Sequence, residues 1–194
     1  MKNQCTSAKG FTLIELLVTV ALIAILMAVA VPSLTTFARN AELTSFSNTM
    51  LATMNAARGE AMKRGRYAMV VPADGTNWSS GWIVFVDVNR TQAFESASDF
   101  SILTREAPPS YLTITPTLGT AADLQPYIMF DAAGYSKTKA GAFGATTLEI
   151  RRNDVSGADQ LEQTRRLKIA STGRVRICTP KTSSDSLCLA TSDL

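Results

Sequence analysis

The sequence predicts an α+β fold in which one long N-terminal helix packs on antiparallel β-sheet. Three observations carry this expectation. From Leu16 to Val31 the chain has no charged residue, and apolar side chains dominate from Phe11 to Pro32. Beyond it, Leu43, Phe46, Met50, Met54, Ala57 and Ala61 recur at steps of three or four, which lines one face of a helix. After Gly65 the pattern changes to short runs rich in Val, Ile, Tyr and Phe, separated by Gly, Pro and Asp-Gly turns.

The N-terminal run, counted from Phe11, is long enough to cross a hydrocarbon core of about 30 Å, for which about 20 apolar residues suffice. Glu15 interrupts it near its start, where a carboxylate in lipid costs on the order of 2–3 kcal/mol and calls for a partner. Pro32 falls where the run stops and is a candidate kink or junction. Lys63 and Arg64 followed by Gly65 make a helix end. One interrupted helix from about Phe11 to Arg64 is expected, of order 80 Å long at about 1.5 Å per residue. Candidate strands follow at Arg66–Val71, Trp82–Val88, Phe100–Thr104, Tyr111–Thr115, Tyr127–Phe130, Thr147–Arg152, Arg165–Ala170 and Arg174–Cys178. Residues 89–99 and 153–163 are polar and read as loops, with Lys137–Gly144 as a further break.

Composition excludes several chemistries. The chain has no histidine, which removes Ser-His-Asp and Cys-His catalysis and histidine metal sites. No dinucleotide fingerprint or P-loop surrounds Gly141 and Gly144. Asp87-x-Asn89-x-Thr91 begins like a calcium loop, but Gln92 and Ser98 stand where glycine and glutamate are needed, so a turn is expected instead. Trp78 and Trp82 flank a strand and are expected in the core. Neither an enzyme, a cofactor nor a metal is expected. Of the three cysteines, Cys178 and Cys188 form an even pair near the C-terminus. In an oxidising compartment they are expected to bridge, adding about 2.5–3 kcal/mol in the chain-entropy view.

The formal charge is +3, and setting aside Lys2 and Lys9 leaves seventeen bases against sixteen acids. The distribution is more informative than the total. Between Arg151 and Lys181 lie eight bases and three acids. If Gly173–Cys178 is a strand, Arg174 and Arg176 share one face and Val175 and Ile177 the other. Two guanidiniums one strand repeat apart suit adjacent phosphates, while a charged edge strand also guards against aggregation without any ligand.

The segment Gly10-Phe11-Thr12-Leu13-Ile14-Glu15-Leu16, followed by the apolar run, resembles the leader and N-terminal helix of type IV pilins and type II secretion pseudopilins. GWIVFVDVN, from Gly81, resembles a recurring stretch of the GspH and FimT/FimU branch. The resemblance implies a leader at 1–10 cleaved after Gly10 by a prepilin peptidase, with Phe11 becoming the methylated N-terminal residue. It implies a transmembrane and filament-core helix at 11–38, with Glu15 meeting the terminal amine of the next subunit. It implies a globular domain at 39–194, helical over 39–64 and β-rich over 66–194, with two sheets.

The implied partners are the peptidase, other major and minor pilins or pseudopilins, the inner-membrane assembly platform, and membrane lipid before assembly. The basic residues Lys2 and Lys9 agree with a cytoplasmic N-terminus and a periplasmic or filament-surface domain. Gly173-Arg174-Val175-Arg176, with Lys181 nearby, also resembles the segment by which FimT-type minor pilins bind DNA. The alternative is a signal-anchored periplasmic binding module unrelated to filaments.

Overall fold

A computed structural model describes residues 10–157 and 159–191. The chain divides into two compact units between Ala41 and Glu42. In the N-terminal unit, helix α1 (Leu13–Arg64) begins two residues later than the apolar pattern suggests. The reason is local. Thr12 is the cap: its backbone N–H and hydroxyl donate to Glu15 Oε2 at 2.9 and 3.0 Å, and Glu15 N–H donates to the Thr12 hydroxyl at 3.3 Å. This reciprocal capping box satisfies donors that a helix start leaves without partners. Pro32 lies inside the continuous helix, and its carbonyl accepts from the Thr35 hydroxyl at 2.9 Å. The apolar residues of this unit are exposed on every side, from Phe11 and Leu13 through Leu26 to Leu34. This is a helix long and apolar enough to cross a membrane.

In the second unit α1 ends at Arg64 because Gly65 adopts a left-handed φ of 62° and Arg66 N–H reaches back to the Ala61 carbonyl at 3.2 Å. That bond is the long-range half of a Schellman stop, and glycine accepts the geometry without a Cβ penalty. The nine strands that follow are β1 (Tyr67–Pro72), β2 (Trp82–Asp87), β3 (Phe100–Arg105), β4 (Leu112–Leu118), β5 (Ile128–Phe130), β6 (Ser136–Lys137), β7 (Thr146–Arg152), β8 (Thr164–Ile169) and β9 (Val175–Cys178). They form two antiparallel sheets: one ordered β3-β2-β1-β5-β6, the other β4-β7-β8-β9.

The predicted helical stripe is the buried one. Leu43, Met50, Met54, Ala57 and Ala61 are fully buried and join the inner residues of both sheets in one core. Each fully buried large side chain contributes about 1.5–3 kcal/mol. Phe46 meets Trp82 edge to face with centroids 5.6 Å apart. The outer face of the first sheet is covered as well, by a smaller cluster of Met69, Phe85, Tyr127 and Met129 under Phe94. With both faces buried, β2 reads as a continuous apolar run rather than an alternating one.

All eight predicted strands are present. Residues 159–162, expected as loop, form a single helical turn, α2 (Asp159–Glu162). Lys137–Gly144, expected only as a break, begins inside β6, which pairs through Phe130↔Ser136 and Met129↔Lys137. Two residues are too few to show periodicity.

Beyond the core, the helix and one turn from each sheet meet at a single carbonyl. Arg58 Nε donates to the Gly134 carbonyl at 2.8 Å in the β5–β6 turn. The β8–β9 turn lies on the same carbonyl: Gly173 has φ of 78°, and a Cβ there would fall 1.8 Å from Gly134 O. Only glycine fits.

Candidate functional site

The two sets of predicted site residues lie in the two separate units. In the first, Gly10 and Phe11 precede the helix and are exposed, and a Cβ on Gly10 would meet nothing within 4 Å. This leaves the Gly10–Phe11 peptide sterically open. Lys2, Cys5 and Lys9 lie outside the described residues. Glu15 closes the capping box with Thr12, an arrangement that the spacing Thr12-x-x-Glu15 encodes and that the resemblance alone does not supply.

In the second unit, the disulfide between Cys178 and Cys188 is formed, with Cα atoms 5.9 Å apart. It anchors residues 187–190 across the outer face of the β4-β7-β8-β9 sheet. The pairing places the side chains on that face: Arg166 lies opposite Glu149 and Cys178, and Lys168 opposite Thr147 and Arg176. Arg166 donates to the Cys188 carbonyl, Lys168 Nζ to the Leu189 carbonyl at 3.0 Å, and Arg176 Nη2 to the Leu187 carbonyl at 2.9 Å. The Thr117 hydroxyl donates to the Ala190 carbonyl at 2.8 Å. Three successive carbonyls of the C-terminal strap are thus held by three cations.

These contacts distinguish Arg176 from Arg174, the two arginines expected on one strand face. Strand β9 starts at Val175; Arg174 directly precedes it, its carbonyl accepting from Ala170 N–H at 2.9 Å, and is exposed. Arg176 is committed to the strap. Val175 and Ile177 do face the core, as alternation requires.

The remaining bases are largely engaged too. Arg152 is buried and clasps Asp154 at 2.7 and 2.8 Å, which raises the guanidinium above its ordinary value. Arg165, on the core side, donates to the Glu162 and Thr164 carbonyls and to the Thr44 hydroxyl on α1, and its burial lowers its pKa. Arg166 pairs with Glu149 at 2.8 Å. Of the predicted ligand residues, Gly173 is buried and structural, while Arg174 and Lys181 are exposed. Sequence spacing could reveal the cluster but not which carbonyls it meets, because the strap lies about 20 residues further along the chain.

Within the disulfide loop, Asp185 accepts the Lys181 and Leu187 backbone N–H groups, each at 3.1 Å. The bond from Lys181, with help from Leu187, holds its carboxyl below the usual aspartate value. Asp87, at the head of the calcium-like stretch, is fully buried, and its two oxygens accept Thr91 and Gln92 N–H at 3.1 and 3.0 Å. It is a turn anchor. Trp78 is core, its Nε1–H donating to the Ala121 carbonyl at 2.9 Å.

The family model for the Type II transport protein GspH matches residues 47–173, and that for the prokaryotic N-terminal methylation motif matches residues 5–31. No curated protein matches the chain. Two crystal structures of the Pseudomonas aeruginosa type IV minor pilin FimU share the fold. One aligns with a TM-score of 0.51 at 19% identity, covering 71% of this chain and 93% of FimU. The other, in a second crystal form, gives 0.52 at 20% identity, covering 75% and 93%.

Proposed function

The chain belongs to the GspH family, and from that premise we propose that it is a minor pilin or pseudopilin, cleaved after Gly10 and methylated at Phe11. The observation that carries this reading is the junction of a methylation motif with a bare apolar helix leading into a GspH domain. The helix anchors the precursor in the inner membrane with its N-terminus cytoplasmic and its globular domain periplasmic. After extraction the same apolar surface packs against neighbouring subunits in the filament core. The family is structural, so its work is assembly rather than catalysis. Partners are the prepilin peptidase, other pilins or pseudopilins, and the inner-membrane platform that assembles them.

Mass spectrometry of the protein from its native membrane tests this. The expected mature chain begins at N-methylated Phe11, and Gly10→Val leaves the leader attached. A chain that keeps residues 1–10 in the wild type, or loses them elsewhere, sinks the reading and favours a signal-anchored binding module. Glu15→Gln is expected to be processed normally yet to fail to enter filaments, since the carboxylate supplies the charge for the neighbouring amine. Crosslinking to co-assembled subunits distinguishes a type IV pilus from a type II secretion pseudopilus.

A DNA-contacting role is a second reading, favoured by one observation: Arg174 is exposed, and its side chain makes no hydrogen bond among the described residues. We confine it to Arg174 and Lys181, because Arg176 is tied to the strap. Titration with duplex DNA at several salt concentrations tests it. Arg174→Ala/Lys181→Ala should reduce the slope of log affinity against log salt by about 2. An unchanged slope removes these residues from any DNA contact.

A further inference from the structure

The two sheets end in four edge strands, β3 and β6 in one, β4 and β9 in the other. Three of them are blunted. Strand β6 has two residues, β9 has four and carries the bridge at Cys178, and β4 contains Pro116, where its register shifts. Short length and proline keep a sheet edge from recruiting another strand. Strand β3 has neither: it runs for six residues without proline. Among the described residues nothing bonds to the backbone on its outer side.

The pairing with β2 fixes the face of each β3 side chain. Phe100, Leu103 and Arg105 lie opposite Val86, Val84 and Trp82, which belong to the core, whereas Ser101 and Thr104 lie opposite Phe85 and Ile83 on the outer face. The bulge at Val84/Phe85 leaves Ile102 as the extra residue, and Ile102 packs on the core together with Leu103. From Phe100 to Arg105 the faces therefore run core, outer, core, core, outer, core. That order is the same in both directions.

A second β3 laid antiparallel along this edge, with Ile102 opposite Leu103, matches faces at every position. Sliding it by one or two residues in either direction sets at least one core-facing residue against an outer one. The matched register also pairs the chemistry: Phe100 meets Arg105, Ser101 meets Thr104, and Ile102 meets Leu103. Phe100 remains 46% exposed although Arg64 stands 3.6 Å from its ring centroid, so the ring can take a second cation. Arg105 is exposed and makes no hydrogen bond or ion pair among the described residues. The next pair would set Glu106 against Asp99, like charges that end the ladder.

We propose that β3 is a self-recognition edge, to which a second copy of this chain adds its own β3 across a two-fold axis centred on the Ile102–Leu103 step. Six residue pairs bury less than the standard interface of about 1,200–2,000 Å², so the contact is weak and depends on local concentration. It uses no residue of the apolar helix and closes on itself, whereas filament growth repeats a head-to-tail contact. It thus goes beyond the filament reading and does not depend on it.

The test uses the full chain in detergent, carrying Cys5→Ser, since Cys178 and Cys188 are bonded to each other. Opposed residues of an antiparallel pair have Cα atoms about 4.5–5.5 Å apart, within disulfide reach, while residues three apart on one strand are about 10 Å apart. Ser101→Cys/Thr104→Cys, two exposed positions, should therefore give a bridged dimer under mild oxidation, in at least tenfold the yield of either single variant. No dimer from the double variant, or an equal yield from a single one, overturns the proposal. Adding Arg105→Glu, which sets a carboxylate against the Phe100 ring, should lower the yield at least threefold, and an unchanged yield also overturns it. Emission from the buried Trp78 and Trp82 reports whether each variant is folded. Should the double variant not fold, hydrogen exchange of the wild type decides. The Ser101–Thr104 amides should then slow as protein concentration rises, and exchange independent of concentration refutes pairing. The same oxidation in the native membrane tests for another occupant: an adduct with a different protein, in place of the dimer, assigns the edge to that chain and overturns self-pairing.

Discussion

Replacing Gly173 by alanine probes the junction where the helix and both sheets meet. The new methyl would sit 1.8 Å from the Gly134 carbonyl oxygen on a backbone held at φ of 78°. A left-handed non-glycine residue costs roughly 1–2 kcal/mol, and forcing a methylene-sized group into packed structure adds roughly 1–3 kcal/mol. The sum, about 2–5 kcal/mol, is a large part of the 5–15 kcal/mol typical of a domain. At about 2–4 °C per kcal/mol for a unit of this size, Tm should fall by about 4–20 °C.

Thermal unfolding followed by Trp78 and Trp82 fluorescence measures the shift. Gly59→Ala is the control, since its Cβ would meet nothing within 4 Å in the interior of α1. That change should stabilise by about 0.5–1 kcal/mol. A Gly173→Ala protein melting within a degree or two of the wild type would refute the steric argument. The outcome also bears on ligand studies: DNA affinity lost with Gly173→Ala reports a displaced turn, not a missing contact.

Four further outcomes are expected. Removing the Cys178–Cys188 bridge should cost about 2.5–3 kcal/mol in the chain-entropy view, lowering Tm by about 5–12 °C in the same assay. Trp78→Phe deletes the bond to the Ala121 carbonyl and should cost about 1–3 kcal/mol, read from the denaturant midpoint at unchanged m. Because folding lowers the Asp185 pKa, its contribution is complete above the unfolded value of about 3.9 and is lost as pH falls through the folded one. The Lys181 and Leu187 amides should therefore lose exchange protection below about pH 4, and Asp185→Asn should remove that pH dependence. Thr12→Ala should cost the helix start about 1 kcal/mol, seen as faster exchange of the Leu13–Glu15 amides in micelles.

Most of the fold could be read from periodicity and turn chemistry, because both are local. Leu43 through Ala61 at steps of three and four identified the buried helix face, and β-branched runs bounded by Gly and Pro identified eight strands. Tertiary chemistry was harder to read. The spacing Thr12-x-x-Glu15 is legible as a capping box, but the Glu15 charge in an apolar run is the stronger signal in the sequence. The basic cluster was legible as composition, but Arg176 and Lys168 meet carbonyls whose positions depend on a disulfide and a strap. A backbone acceptor carries no residue-type signal. For the same reason the glycine of Gly173-Arg174-Val175-Arg176 looked like part of a ligand motif, whereas its neighbour in space is Gly134, 39 positions earlier.

That meeting point also defines a path for force. A pull transmitted along α1 within the globular unit reaches the β5–β6 turn through the Arg58–Gly134 bond as well as through the buried face of the helix. The β8–β9 turn rests against the same carbonyl, so one turn from each sheet meets the helix at this atom. Slippage of the helix by one residue, about 1.5 Å, would exceed the reach of a 2.8 Å hydrogen bond and release the two turns together. An arginine and two glycines thus add a polar tie between helix and turns to the buried packing of Leu43, Met50, Met54, Ala57 and Ala61 against both sheets.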